Sequence, residues 1–146
     1  MAPVSWELDV VTGGDTLDEI QRTLDRFWSS HGRIPEMVRL KMGIACVEIG
    51  ANIVSYAANG LPVRMRMEVQ CHPDRVRIDF IDDGLPADVD LAAVSMPGEL
   101  AEHGRGLAMA RAVLARLSYR RSRVANHWTL VSEGFARLPG EAVPAF

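Results

Sequence analysis

Three short stretches hold residues whose types and spacing could do chemistry. In "CVEIGANIVSYAANG", Glu48, Asn52, Ser55 and Asn59 recur at i, i+4, i+7 and i+11 along an otherwise apolar segment, and Lys41 falls on the same stripe. A carboxylate and an amide oxygen one helical turn apart offer the hard donors that Mg²⁺ takes, and the carboxylate can also polarise a water or a hydroxyl. Such a stripe faces either bulk water or a cleft, and its narrowness favours the cleft. In "IDDGLP", a carboxylate that follows a strand-like run and precedes a lid-like loop could accept a hydrogen bond from an exocyclic amine at the bottom of a pocket. Gly84 there allows close approach or a positive φ, although Asp-Gly is also a common turn dipeptide. In "EHGRGLAMARAVLARL", Gly104, Arg105 and Gly106 stand directly before an apolar-periodic run. They make either a hinge or an anion cradle, since a helix N-terminus offers unpaired N–H groups and a positive dipole end.

Specific elements must position these residues. "VSWELDVV" alternates as a first strand, Val4 to Val11. Gly13 and Gly14 break it, and Asp15 or Thr16 can cap a helix, with Glu19 completing a capping box. Leu17, Ile20, Leu24 and Phe27 mark that helix's apolar face, and His31-Gly32 ends it. A long, largely buried helix is predicted from about Pro35 to Asn59, with Gly60 as its stop. Val63, Met65, Met67, Val69 and Cys71 then alternate with polar residues, "HPD" turns the chain, and Val76, Ile78 and Phe80 alternate again, which predicts an antiparallel hairpin with one wet face. Periodicity vanishes over about 85–103, a length of loop that is usually functional, such as a lid. The helix "GLAMARAVLARL" and a second hairpin, "SYRRSRV" with "NHWTLVSEG", follow. The Pro-containing tail, about 135–146, is expected to fray. The order β-α-α-β-β-loop-α-β-β predicts an α+β two-layer sandwich: one mixed, mainly antiparallel sheet with helices on one face.

The chain of 146 residues fits a single domain, 1–146, with a core of its own. Its net charge of −3 supplies no bulk attraction to nucleic acid or to acidic membranes. Arg120, Arg121 and Arg123 in "YRRSRV" form a local basic cluster, read as solvated or facing an acidic protein rather than binding nucleic acid. No apolar run is long enough to span a membrane, and the N-terminus lacks the pattern of a signal peptide. Cys46 and Cys71 lie among apolar residues and read as reduced core cysteines of a cytoplasmic protein.

"EIGAN" on a helix, "DDGLP" after a strand and "GRGLAMAR" opening a helix after a lid occur in one order. Together they resemble the GHKL ATPase superfamily, the Bergerat ATP-binding fold. The single-domain form is similar to the anti-sigma factor serine/threonine-protein kinases of bacterial partner-switching systems, over roughly Val4 to Val131. The resemblance implies ATP and Mg²⁺ as cofactors. It makes Glu48 the base-like carboxylate near the γ-phosphate, Asn52 the Mg²⁺-coordinating residue, and Asp82 the holder of the adenine amine, with Gly84 beside the base. It makes Gly104, Arg105, Gly106 and Leu107 the glycine box over the phosphates, and Thr129 a late-strand residue near the adenine. Arg105 either neutralises phosphate charge or is solvated on the lid. Ser55 and Tyr56 occupy the nucleotide-facing turn where the family often has a basic residue and a histidine, a departure at the phosphates. Implied partners are a sigma factor, which the protein sequesters, and a STAS-domain anti-anti-sigma factor, which it phosphorylates, with the kinase itself a homodimer. The alternative is a nucleotide-binding or inactive module that only sequesters a protein partner.

Overall fold

The computed structural model describes residues 4–87 and 102–136. Five strands and three helices follow one another as β1 (Val4–Val11), α1 (Thr16–Ser30), α2 (Glu36–Tyr56), β2 (Arg64–His72), β3 (Arg75–Asp82), α3 (Glu102–Val113), β4 (Arg116–Arg121) and β5 (Asn126–Val131). The strands form one sheet in the order β1-β2-β3-β5-β4. Every pairing is antiparallel, so the sheet has no parallel pair among the described strands.

Strand alternation sorts the sheet into two faces. Met65, Met67 and Val69 of β2, Val76, Ile78 and Phe80 of β3, and Trp128 and Leu130 of β5 are buried. They pack with Ile20, Leu24 and Phe27 of α1 and with Val38, Met42, Ala45, Ile49 and Ile53 of α2 in one core. The other face carries charge pairs: Arg66 with Glu7, and Arg77 with Asp79 at 3.0 Å.

α1 starts and stops close to where the sequence predicts, whereas α3 begins four residues before Gly106 and ends at Val113, so that Arg116 and Leu117, expected in the helix, open β4. The capping box does not form. Thr16 is the first helical residue, and its hydroxyl accepts the Gly13 N–H at 2.8 Å. α2 lies between α1 and α3. It ends at Tyr56, short of Asn59, because Asn59 (φ 55) and Gly60 (φ 86) take successive left-handed conformations. At the α1–α2 contact, a Cβ on Gly50 would stand 2.5 Å from Ile20 Cδ1, so glycine lets the two helices approach. The tail begins anchored: the Phe135 N–H donates to the Asp74 carbonyl at 2.9 Å, and the Arg33 guanidinium lies over its ring. The remainder of the expected tail, and most of the expected lid, lie outside the described residues.

Candidate functional site

The C-terminal half of α2, the end of β3, the start of β5 and the residues after β3 enclose a cleft of about 280 Å³. Asn52, Tyr56, Asn59, Asp82, Leu85 and Trp128 are among its lining residues. The cleft follows from where the chain changes direction. β3 runs out beneath the last turn of α2, and the chain then crosses that turn. Gly84 is needed there for close approach rather than for a positive φ, since a Cβ would lie 2.5 Å from the Ala57 carbonyl oxygen and 2.7 Å from Ala57 Cβ. The Leu85 N–H donates to that same carbonyl at 2.6 Å.

Asp82 sits at the foot of the cleft, only 2 % exposed. Its Oδ1 accepts the Gly84 N–H and the Asn126 Nδ2, each at 2.9 Å. Burial pushes its carboxyl above the ordinary range; the Asn126 and Gly84 hydrogen bonds pull it back, Asp83 adds to the rise and Arg121 opposes it. Asp82 Oδ2 has no hydrogen-bond partner among the described residues. A floor carboxylate with one open oxygen can accept a hydrogen bond from an amine on a planar base.

Asn126 was not among the residues singled out from the sequence. Register places it directly opposite Asp82 in the β3–β5 ladder. Its Nδ2 also donates to the Leu85 carbonyl at 2.8 Å, while its Oδ1 accepts from the Tyr119 hydroxyl and from Arg121 Nη1. Tyr119 Oη in turn accepts the Ala87 N–H at 2.9 Å, and Arg121 Nη1 donates to the Gly84 carbonyl at 2.7 Å. Arg121 therefore braces the cleft and is not part of an exposed basic cluster; Arg120 and Arg123 are exposed. The available signal was strand parity, since Asn126 lies two residues from buried Trp128 and four from buried Leu130.

Parity also relocates Thr129. It points to the face opposite Trp128, away from the cleft, and its hydroxyl donates to Asp79 Oδ1 at 2.8 Å. The stripe on α2 divides. Asn52 lines the cleft, whereas Glu48 lines a neighbouring groove with Leu40, Ile44 and Met109. Ser55 is exposed and does not line the cleft, while Tyr56 does. The helical screw explains this: relative to Asn52, Ser55 lies about 60° round on one side, and Tyr56 and Ile53 lie on the other. Lys41 leaves the stripe to pair with Glu133 at 3.1 Å.

Gly104, Arg105 and Gly106 fall inside the first turns of α3 rather than before it. A Cβ on Gly106 would collide with the Glu48 carboxylate, so this glycine brings α3 down onto α2 beside Glu48. Arg105 is exposed, and Leu107 is 3 % exposed in the core, so only its backbone can serve a ligand. Among the described residues, no cluster of three or more His, Cys, Asp or Glu could hold a metal. One amide oxygen at Asn52, with Glu48 one turn before it, suits Mg²⁺, which keeps several waters and binds through one or two protein oxygens together with phosphates.

The chain belongs to the histidine kinase-like ATPase domain family, whose profile matches residues 14–131. Among solved structures it is similar to the RsbU and RsbW domains of Rv1364c from Mycobacterium tuberculosis (TM-score 0.59, 17% identity), covering 92% of this chain and 34% of that one. The chain thus spans about a third of that structure's length. It is also similar to the catalytic domain of histidine kinase ThkA (TM-score 0.53, 11% identity), covering 88% of this chain and 97% of that one. No curated protein matches the sequence significantly. Among the described residues, no helix is long and apolar enough to cross a membrane.

Proposed function

We propose that this chain is a cytoplasmic anti-sigma factor and MgATP-dependent serine/threonine-protein kinase, acting as a homodimer, that sequesters a sigma factor and phosphorylates a STAS-domain anti-anti-sigma factor. The observation that carries the reading is the Asp82–Gly84–Asn126 network at the floor of a cleft whose wall presents Asn52, in a chain of the histidine kinase-like ATPase family. The similarity to a structure that includes an RsbW domain supports the partner-switching part.

When bound, MgATP supplies the activated phosphoryl group. Asp82 Oδ2 would accept from the adenine amine, on a floor that Gly84 brings close to Ala57. Asn52 would offer its amide oxygen to Mg²⁺. Glu48 would orient the acceptor serine or threonine and take its hydroxyl proton as the oxygen bonds to the γ-phosphorus, the bond from that phosphorus to the β–γ bridging oxygen breaks, and ADP leaves. Phosphoryl transfer depends chiefly on such positioning and charge neutralisation. The exposed Ser55 and the Gly104–Gly106 stretch wound into α3 favour the second reading, a nucleotide-binding or inactive module that only sequesters a protein partner.

Thermal melting with and without MgATP and MgADP tests the pocket. A nucleotide at 100 times its Kd stabilises by about 2.7 kcal/mol, a shift of a few degrees for a domain of this size, and Asp82→Asn should abolish it. Absence of any shift would sink the ATP-dependent mechanism. A shift without phosphate transfer to any STAS-domain protein would select the second reading.

A further inference from the structure

The side-chain network below the cleft has a definite polarity. Asn126 faces two acceptors on one side, Asp82 Oδ1 and the Leu85 carbonyl. On the other side it faces Arg121, which can only donate. Flipping the amide would set its oxygen against two oxygens and its NH₂ against a guanidinium, so the surroundings dictate the orientation. Tyr119 completes the circuit: its oxygen receives the Ala87 N–H, and its own proton goes to Asn126 Oδ1. The network runs from the carboxylate at the floor to the first residues after β3, and each of these donors meets an acceptor.

We propose that Asn126 is a positioning residue that makes the cleft select a base carrying an exocyclic amine over one carrying an oxo group, by holding Asp82 as an acceptor. The proposal rests on the nucleotide-binding reading above. Two donors converge on Asp82 Oδ1, and both favour the ionised carboxylate, which leaves Oδ2 to accept from a ligand. Without Asn126, a carboxyl so deeply buried takes up a proton more readily. A protonated carboxyl can donate, and then suits an oxo base as well as an amino base.

The test is the dissociation constant of ATP against that of ITP, in which an oxo group replaces the amine, for the native chain and for Asn126→Ala. The native chain should prefer ATP, and the variant should lose roughly tenfold or more of that ratio, the worth of one hydrogen bond to a charged group. A scaffolding role would weaken both nucleotides equally and leave the ratio unchanged, which overturns the proposal. Asn126→Asp supplies a second readout. It sets two carboxylates face to face, with Asp83, Arg121, His127 and Tyr119 as the neighbouring titratable or charged groups. ATP binding to it should fall at neutral pH and recover towards acid, where a shared proton restores the donor. A pH profile parallel to that of the native chain overturns the proposal. A native chain that binds neither nucleotide sinks the nucleotide reading itself, whereas a native preference for ATP that survives in both variants sinks only the role of Asn126.

Discussion

The two ends of the candidate site are built differently. At the floor, Asp82, Gly84, Asn126, Tyr119 and Arg121 are interlocked by hydrogen bonds whose partners come from β3, β4, β5 and the segment after β3. Towards α3, Glu48 and Asn52 make no side-chain hydrogen bond among the described residues, and Glu48 is merely packed against Gly106. The floor is preorganised, with its polar groups aimed before a ligand arrives. The upper end offers free oxygens that a cation or an acceptor hydroxyl could engage. On the proposed reading the floor recognises a base, which needs fixed geometry, while the other end takes phosphates and must admit and release charge.

The strongest test of this contrast is Gly84→Ala. Its Cβ would run into the backbone of Ala57, which cannot swing aside, so the variant should lose about 3 kcal/mol, read as a lower denaturant midpoint at unchanged m-value. A midpoint equal to the native one would mean the floor is not rigid.

Next in size is the effect of Asp82→Asn on pH dependence. The folded-state pKa of Asp82 is raised, chiefly by burial, so the folded chain keeps a proton that the unfolded chain has already released. The native state then binds more protons than the unfolded one, and the contribution of Asp82 to stability declines as pH rises from the ordinary carboxylate range through the raised value. Melting curves across that window should show the decline in the native chain and a shallower one in Asp82→Asn. Identical slopes would show that the floor does not perturb this carboxylate.

Gly106→Ala should have the smallest effect on stability. Alanine favours the helix by up to about 1 kcal/mol over glycine, and the Glu48 tip it meets is the end of a flexible side chain, so the net change should stay within about 1 kcal/mol. Displacing Glu48 should nevertheless slow phosphoryl transfer while leaving nucleotide binding intact. Loss of binding instead would place Glu48 in the nucleotide pocket and erase the distinction between the two ends.

Much of this was legible in local pattern. Alternation located both faces of the β2–β3 hairpin, whereas Asp-Gly at the end of β3 reads locally as a turn, and only the resemblance to the GHKL ATPases singled out Asp82 and Gly84. Thr129 and Asn126 show where pattern ran out. Both lie on β5, and only the antiparallel register with β3 decides that Asn126 meets Asp82 while Thr129 meets Asp79 on the far face. Glycines 104 and 106 looked like a break before a helix, but α3 runs through both, and Gly106 packs against Glu48 of α2. The polar stripe of α2 had the correct period, yet its neighbours divide it between the cleft and the groove beside α3.

The sequence by itself determined the elements, their order and the inward sides of β2 and β3, because hydrophobic periodicity and turn chemistry act over a few residues. The tertiary structure alone decided which polar residues share a site. Asp82 and Asn126 are 44 positions apart, and their hydrogen bond exists only once β5 has paired between β3 and β4. Strand pairing and helix packing join residues that no local period relates, and a one-residue slip in register would turn Asn126 to the opposite face.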